Sequence, residues 1–285
     1  MNSNNIFFDF NFNNNYYTYI TININKGLGH QLFKIATAYS YAIENNKSLI
    51  FLNDINNKTY WGSLFSNKLN ILDKKEFNKI EFIKEKELKP YIYSEFQEYT
   101  THKNILLDGD FLSFKYFDNN NTKNFLRHLI YSSDDYMYKA YDIYNSIKNY
   151  FNNCCDNDIV SMHFRKNIDN ILDINYYIKA LEKVDDNVNN IVVFSDNINW
   201  CKKNINSDIF NKKNIYIVDL DNDEIEFILL SFIKHNIISN STYSLMASYI
   251  SYYDTAKTII APKNWLSDTN INVSEIYHKD ITYII

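Results

Sequence analysis

The chain has 285 residues, with 29 Lys and Arg against 34 Asp and Glu and a formal net charge of −5. That length excludes a disulfide-stapled miniprotein and fits one large α/β domain or two smaller ones, each with its own core. A hydrophobic content of 46% and an aromatic content of 17% exclude wholesale disorder, and the mild acidity argues against a sequence-blind nucleic-acid binder.

No apolar run reaches the roughly 18 residues of a membrane span. The Asn-rich start, Met1 to Asn15, lacks the cationic and apolar regions of a secretory signal. The three cysteines, Cys154, Cys155 and Cys201, are odd in number and lack the spacing of a zinc site. A reducing, cytoplasmic setting is the expectation.

In chain order, Tyr16 to Asn25 alternates β-branched and aromatic residues and reads as a strand. Gly27-Leu28-Gly29 breaks it, and His30 to Asn45 carries apolar residues at helical spacing. Lys47 to Asn53 reads as a second strand. Asn57 to Lys89 is less regular, with a Lys/Glu-rich piece near Glu81 to Lys89. Asn104 to Asp108 is a further strand, Asn119 to Asn121 a solvated loop, and Asp134 to Asn152 a helix. A boundary near Asn152 to Asn157 divides the chain into units 1–152 and 153–285.

The second unit is more regular. Strand-like runs at Ile159–Phe164, Ile191–Phe194, Ile215–Val218, Ile237–Ser239 and Thr258–Ala261 alternate with helical patterns at Ile174–Val184, Asn197–Lys203, Asp223–Lys234 and Thr242–Tyr252. Such alternation predicts a parallel sheet with right-handed crossovers.

In an open parallel sheet ligands bind beyond the carboxyl ends of the strands. Those ends deliver His163, Arg165 and Lys166, then Ser195 and Asp196, then Asp219, then Asn240, Ser241 and Thr242 where a helix begins. An arginine fork, a carboxylate, a histidine and a helix N-terminus suit a nucleoside diphosphate. Each also has a plainer reading: Asn240, Ser241 or Thr242 as a helix cap, Asp196 as a cap for the next helix, His163 as a hydrogen-bonded core group, Arg165 as a structural ion pair. Composition adds weight to Arg165, because only two Arg, Arg127 and Arg165, stand among 29 basic residues.

Three motifs are set aside. Gly27-Leu28-Gly29-His30-Gln31-Leu32 follows a strand and opens a helix, but Leu32 occupies the third glycine position of a dinucleotide fingerprint. Asp108-Gly109-Asp110 and Asp221-Asn222-Asp223 read as turns, so no metal site is expected.

Six segments carry a resemblance. Lys26–Phe33 (KGLGHQLF), Leu107–Phe117 (LDGDFLSFKYF), His163–Lys166 (HFRK), Ile191–Asn204 (IVVFSDNINWCKKN), Phe232–Tyr249 (FIKHNIISNSTYSLMASY) and Ile260–Trp265 (IAPKNW) resemble, in order, the motifs of the family 11 glycosyltransferases, the α-1,2-fucosyltransferases. The resemblance implies a GT-B architecture, two Rossmann-like domains facing a cleft, with an N-terminal acceptor-side domain and a C-terminal nucleotide-sugar domain. It implies GDP-fucose as donor substrate, a glycan acceptor, inversion at the anomeric carbon, and neither obligatory metal nor cofactor.

Carried onto this chain, His163 and Arg165 would hold the guanine side and the β-phosphate, with Lys166 beside them. Asp196 would read guanine. Asn240, Ser241 and Thr242 would contact the diphosphate, and the loop of Gly27, Gly29 and Gln31 would face the cleft. The chain departs from the pattern at His30 (Asn in the family), Lys166 (a second Arg) and Leu245-Met246 (Trp-Trp). A different nucleotide-linked sugar, or loss of activity, therefore stays open. So does the general base, for which His30, Asp169 and Asp173 are the candidates.

Overall fold

A computed structural model describes residues 18–54, 58–66, 68–97, 102–167 and 171–285. Tyr16, Tyr17 and Asp169 lie outside the described residues. In the first half, strands β1 (Tyr19–Ile22), β2 (Ser48–Leu49), β5 (Ile83–Lys86) and β6 (Ile105–Asp108) form a parallel sheet in the order β2-β1-β6-β5, beside a two-stranded pair of β3 (Phe51–Leu52) and β4 (Ile71–Leu72). Helices α1 (Leu28–Glu44), α2 (Lys74–Phe77), α3 (Asn120–Tyr131) and α4 (Asp134–Tyr150) complete this half.

The second half holds β7 (Ile159–Phe164), β8 (Asn190–Ser195), β9 (Asn214–Ile217), β10 (His235–Ile237), β11 (Ile259–Ala261) and β12 (Tyr283–Ile284), with α5 (Ile174–Leu181), α6 (Ile198–Asn204), α7 (Asp223–Phe232) and α8 (Thr242–Tyr249). Its six strands are all parallel, in the order β12-β11-β10-β7-β8-β9. Every residue of β7 and β8 is buried, as expected for a parallel strand covered by helices on both faces. Along β8 the side chains divide alternately, Ile191 and Val193 into the layer with α5 and α6, Val192 and Phe194 into the core shared with the first half.

The carboxyl ends of β10, β7 and β8 therefore lie side by side, as the alternation of strands and helices predicts. Two further features join the halves. One continuous apolar core contains Ile20, Leu32 and Phe114 of the first half with Phe227, Leu245 and Ile276 of the second. Helix α4, which precedes the expected boundary at residue 152, has its most extensive helix contact with α7. No helix among the described residues is long and apolar enough to cross a membrane.

Two expectations are corrected. Asn119 to Asn121 is not a loop: Asn119 caps α3, its side chain accepting from Thr122 N at 2.9 Å, and the other two form the exposed first turn. Asn is among the best N-caps because its short side chain reaches the orphan N–H groups of the first turn. The Lys/Glu-rich piece near Glu81 to Lys89 contains β5, which among the described residues is an edge strand paired with β6 alone. Charged residues suit such an edge because they discourage further strand pairing. The rare Arg127 is structural: its Nε donates to Ile250 O at 3.1 Å, a terminal nitrogen donates to Ser251 O, and Nη1 pairs with Asp254 at 2.7 Å.

Candidate functional site

A cleft of about 600 Å³ opens where the carboxyl edge of the second sheet meets the N-terminus of α1. The second half contributes His163, Arg165, Ser195, Asp196, Asp223, Glu226, Ser241, Thr242 and Tyr243. The first contributes Lys26, Gly27, Leu28, Gly29, His30 and Tyr60.

Arg165 follows β7 directly and its Nη1 donates to Asn240 O at 3.2 Å, which ties the guanidinium to the segment entering α8. Ser241 caps α8, its hydroxyl accepting from Tyr243 N at 3.3 Å. The cleft thus meets a helix N-terminus, with its free N–H groups and partial positive charge, next to an arginine fork. His163 is buried and its Nδ1 lies 2.8 Å from Ser239 Oγ; desolvation, with Arg165 alongside, lowers its pKa to about 3.

Across the cleft, Nδ1 of His30 lies 2.9 Å from Thr242 Oγ1. Burial first, then Lys26, lowers the pKa of His30 to about 4, so the imidazole is neutral at pH 7. The same loop brings Gly29 against α8. A Cβ there would lie 2.3 Å from the carbonyl carbon of Thr242 and 2.4 Å from Tyr243 N, whereas one at Gly27 would meet nothing within 4 Å. Gln31 does not face the cleft. It is fully buried and its amide donates to Lys26 O and Lys58 O, both at 2.8 Å, so it shapes the loop from behind.

Other expected residues sit elsewhere. Lys166 turns its ammonium to Leu172 O at 3.0 Å and over the Trp200 ring at 4.4 Å, outside the cleft lining. This corrects its expected place beside the diphosphate. Asp173 caps α5, accepting from Tyr176 N at 3.2 Å, and borders a different cavity with Leu172 and Pro262. Asn240 is not in the cleft lining, but its carbonyl accepts from Arg165 there. Asp196 is in the lining, but its oxygens accept from Lys166 N at 2.7 Å and Asn167 N at 3.1 Å. The cap of α6 is Asn197, not Asp196.

Two polar residues, Glu226 and Tyr60, escaped the reading of the sequence, and a third, Asp223, was read there only as part of a turn. Glu226 of α7 lines the cleft and its carboxyl makes no hydrogen bond among the described residues; burial, then Asp223 and Asp219, raise its pKa to about 8. Asp223 accepts from Tyr60 Oη at 2.7 Å and pairs with Lys58 at 2.9 Å. Burial would raise its carboxyl, but these two partners outweigh burial and hold it below the ordinary range. Helical spacing alone marks Glu226 only as the polar member of an apolar helix. Tyr60 lies in the stretch read as irregular.

Both D-x-D motifs are accounted for. Asp110 pairs with Lys26 and, at 3.1 Å, with Lys34. Asn222 caps α7, and Asp223 is in its first turn.

Two buried histidines and the half-buried His30 should make the fold acid-sensitive. Burial holds His30 at about 4 and both His163 and His278 at about 3, against roughly 6.5 in an unfolded chain. Between those values the unfolded chain binds more protons, so stability is present above pH 6.5 and is lost as the pH falls toward 4. The urea midpoint should therefore drop steadily from pH 7 to 4.5; a flat midpoint would contradict the assignment.

A parallel sheet in each half, with an arginine fork and a helix N-terminus at the cleft between them, defines a GT-B architecture. The sequence profile of glycosyl transferase family 11 matches residues 18–285, and the chain belongs to that family. It is 29% identical over 278 residues to an alpha-1,2-colitosyltransferase of Escherichia coli, covering 86% of this chain and 92% of that one. It is 25% identical over 292 residues to the O-antigen biosynthesis glycosyltransferase WbnK of Escherichia coli, covering 86% and 94%. Its fold is similar to the crystal structure of fucosyltransferase NodZ from Bradyrhizobium, with a TM-score of 0.50 and 12% identity over 83% of this chain and 92% of that one.

Proposed function

We propose that this glycosyltransferase moves a deoxyhexose, fucose or colitose, from a GDP-sugar to a glycan hydroxyl, forming an α-1,2 linkage with inversion and without metal. The observation that carries the reading is the meeting of Arg165 with the N-terminus of α8 in one cleft. There they stabilise the charge that builds on a departing diphosphate, at no cost in reorganisation. The family pattern at HFRK and NST supports a GDP-sugar, and the colitosyltransferase relative supports a deoxyhexose.

Guanine presents a ring N–H and an amine side by side, a pair that one carboxylate accepts. Asp196 was the residue expected there from the family pattern. Its oxygens already hold the backbone after β7, whereas Glu226 offers a carboxyl with no hydrogen bond among the described residues. Glu226 is therefore the favoured guanine reader, releasing the proton that burial and Asp223 hold on it as guanine's two donors dock, and Asp196 the residue that shapes the loop carrying Arg165.

Titration of GDP and UDP should show GDP binding at least about tenfold tighter, because uracil leaves the carboxylate facing a carbonyl. Glu226→Gln should narrow that preference, while Asp196→Asn should weaken both nucleotides alike. Equal binding of GDP and UDP would sink the donor assignment. A preference lost only in Asp196→Asn would return guanine reading to that residue.

Transfer should also proceed at the same rate in EDTA as in manganese, since Arg165 and the N-terminus of α8 supply positive charge in the cleft. Loss of transfer in EDTA, restored by manganese, would overturn the metal-free reading.

A further inference from the structure

The proposed transfer needs a group to take the proton of the acceptor hydroxyl. Asp173 caps α5 outside the cleft, both oxygens of Asp110 are paired with lysines, and Asp223 is held by Tyr60 and Lys58. Glu226 belongs to α7, on the same half as Arg165 and the other donor-side groups. His30 differs from all of them. It stands on α1, lines the cleft from the first half, and its Nδ1 meets Thr242 Oγ1 at 2.9 Å, while Nε2 makes no hydrogen bond among the described residues.

We infer that Nε2 of His30 is the general base, that Nδ1–H donates to Thr242 Oγ1 and so fixes the ring, and that the diphosphate of the bound donor makes this base effective. The inference rests on the reading of the donor given above.

The switching is electrostatic. The charged groups that act most on the imidazole are Lys26 in the preceding turn, Lys34 on α1, Arg165 after β7, and the carboxylate Asp110 after β6, with Asp196, Asp223 and Glu226 elsewhere in the cleft lining. Burial and the three cations outweigh the carboxylate and hold the ring at about 4, a weak base. Thr242 is the first residue of α8, so a diphosphate at that helix N-terminus sits within one side chain of the imidazole. Its negative charge offsets the cations and raises the affinity of His30 for a proton toward the working pH, where a general base acts best. Thr242 can serve both partners, accepting from Nδ1–H and donating its own O–H to a phosphate oxygen.

In the transfer itself, the acceptor oxygen bonds to the anomeric carbon. The bond from that carbon to the diphosphate oxygen breaks, and its electron pair leaves with GDP. The hydroxyl proton passes to Nε2, and the imidazolium returns it to solvent after the products depart.

The test is an NMR pH titration of the histidine ring signals with and without saturating GDP, the His30 signal being the one missing from His30→Asn. With GDP its midpoint should rise by about one pH unit or more. In kinetic assays His30→Asn should lower kcat roughly 10²- to 10⁴-fold and lose the acidic limb of the pH profile, with GDP affinity and melting temperature held. GDP binding without movement of the midpoint, or full turnover in His30→Asn, overturns the base. Failure of GDP to bind the wild-type protein overturns the donor assignment, and the inference with it.

Discussion

Replacing Arg165 by Lys should weaken GDP binding about ten- to hundredfold, the worth of one charge-assisted hydrogen bond of roughly 1.5–3 kcal/mol. Lys keeps the charge but not the planar fork. In the structure that fork is already aimed, because Nη1 is bonded to Asn240 O while the side chain lines the cleft. A lysine has no second donor arm to hold both the carbonyl and a phosphate in fixed geometry. Turnover should fall further than affinity, since the departing phosphate carries more charge in the transition state than in the bound donor. Arg165→Ala should lose more of both. The melting temperature without GDP should hold for both variants. Wild-type affinity and turnover in Arg165→Lys would refute the fork argument, and a collapsed melting temperature would make Arg165 a structural residue.

Gly29→Ala should be strongly damaging for a single added methyl. The new Cβ would stand 2.3–2.5 Å from backbone atoms of Thr242 and Tyr243, which cannot rotate away as a side chain could. The N-termini of α1 and α8 must then separate. Overpacking of this kind costs typically about 1–3 kcal/mol, and sometimes more. The separation also displaces His30 from Thr242 and both from Arg165, and a misplacement of about 1 Å costs roughly a hundredfold in rate. Gly27→Ala is the control in the same loop. With nothing within 4 Å of its Cβ position and a φ of −75°, it should keep stability to within about 1 kcal/mol and near-normal turnover. Equal behaviour of the two variants would show that the close approach of the helices has no role.

The two glycines show where the sequence is legible and where it stops. Gly27-Leu28-Gly29 reads clearly as the break between β1 and α1, because local backbone freedom is a property of the residue itself. Nothing local says that Gly29 is required by a helix more than 200 residues away, or that Gly27 is not. Five of the six strands of the second sheet are equally legible, β12 being the exception. Apolar runs of three to six residues between helical patterns leave few topologies, and the parallel order places Arg165, Asp196 and Ser241 on one edge. Strand β5 and helix α3 were missed for opposite reasons. An edge strand needs only one covered face, so Lys and Glu can fill it. The asparagines that begin α3 are indistinguishable from loop asparagines until one of them is seen to cap.

By itself the sequence determined the alternation of strands and helices, the edge where chemistry gathers, and the family pattern carried by HFRK and NST. Periodicity and strand order are local or nearly so, and survive in the chain read one residue at a time. Only the tertiary structure decided which side chains at that edge face the cleft. Lys166 follows Arg165 directly yet points to Trp200, whereas Glu226, 61 residues beyond Arg165, enters the same cleft. Successive residues leaving a strand turn to opposite sides, and helices packed across the sheet add their own faces. The composition of a site is therefore set by packing and not by sequence proximity. The neutral state of His30 was settled the same way, because burial and its charged neighbours exist only once the two halves close on each other.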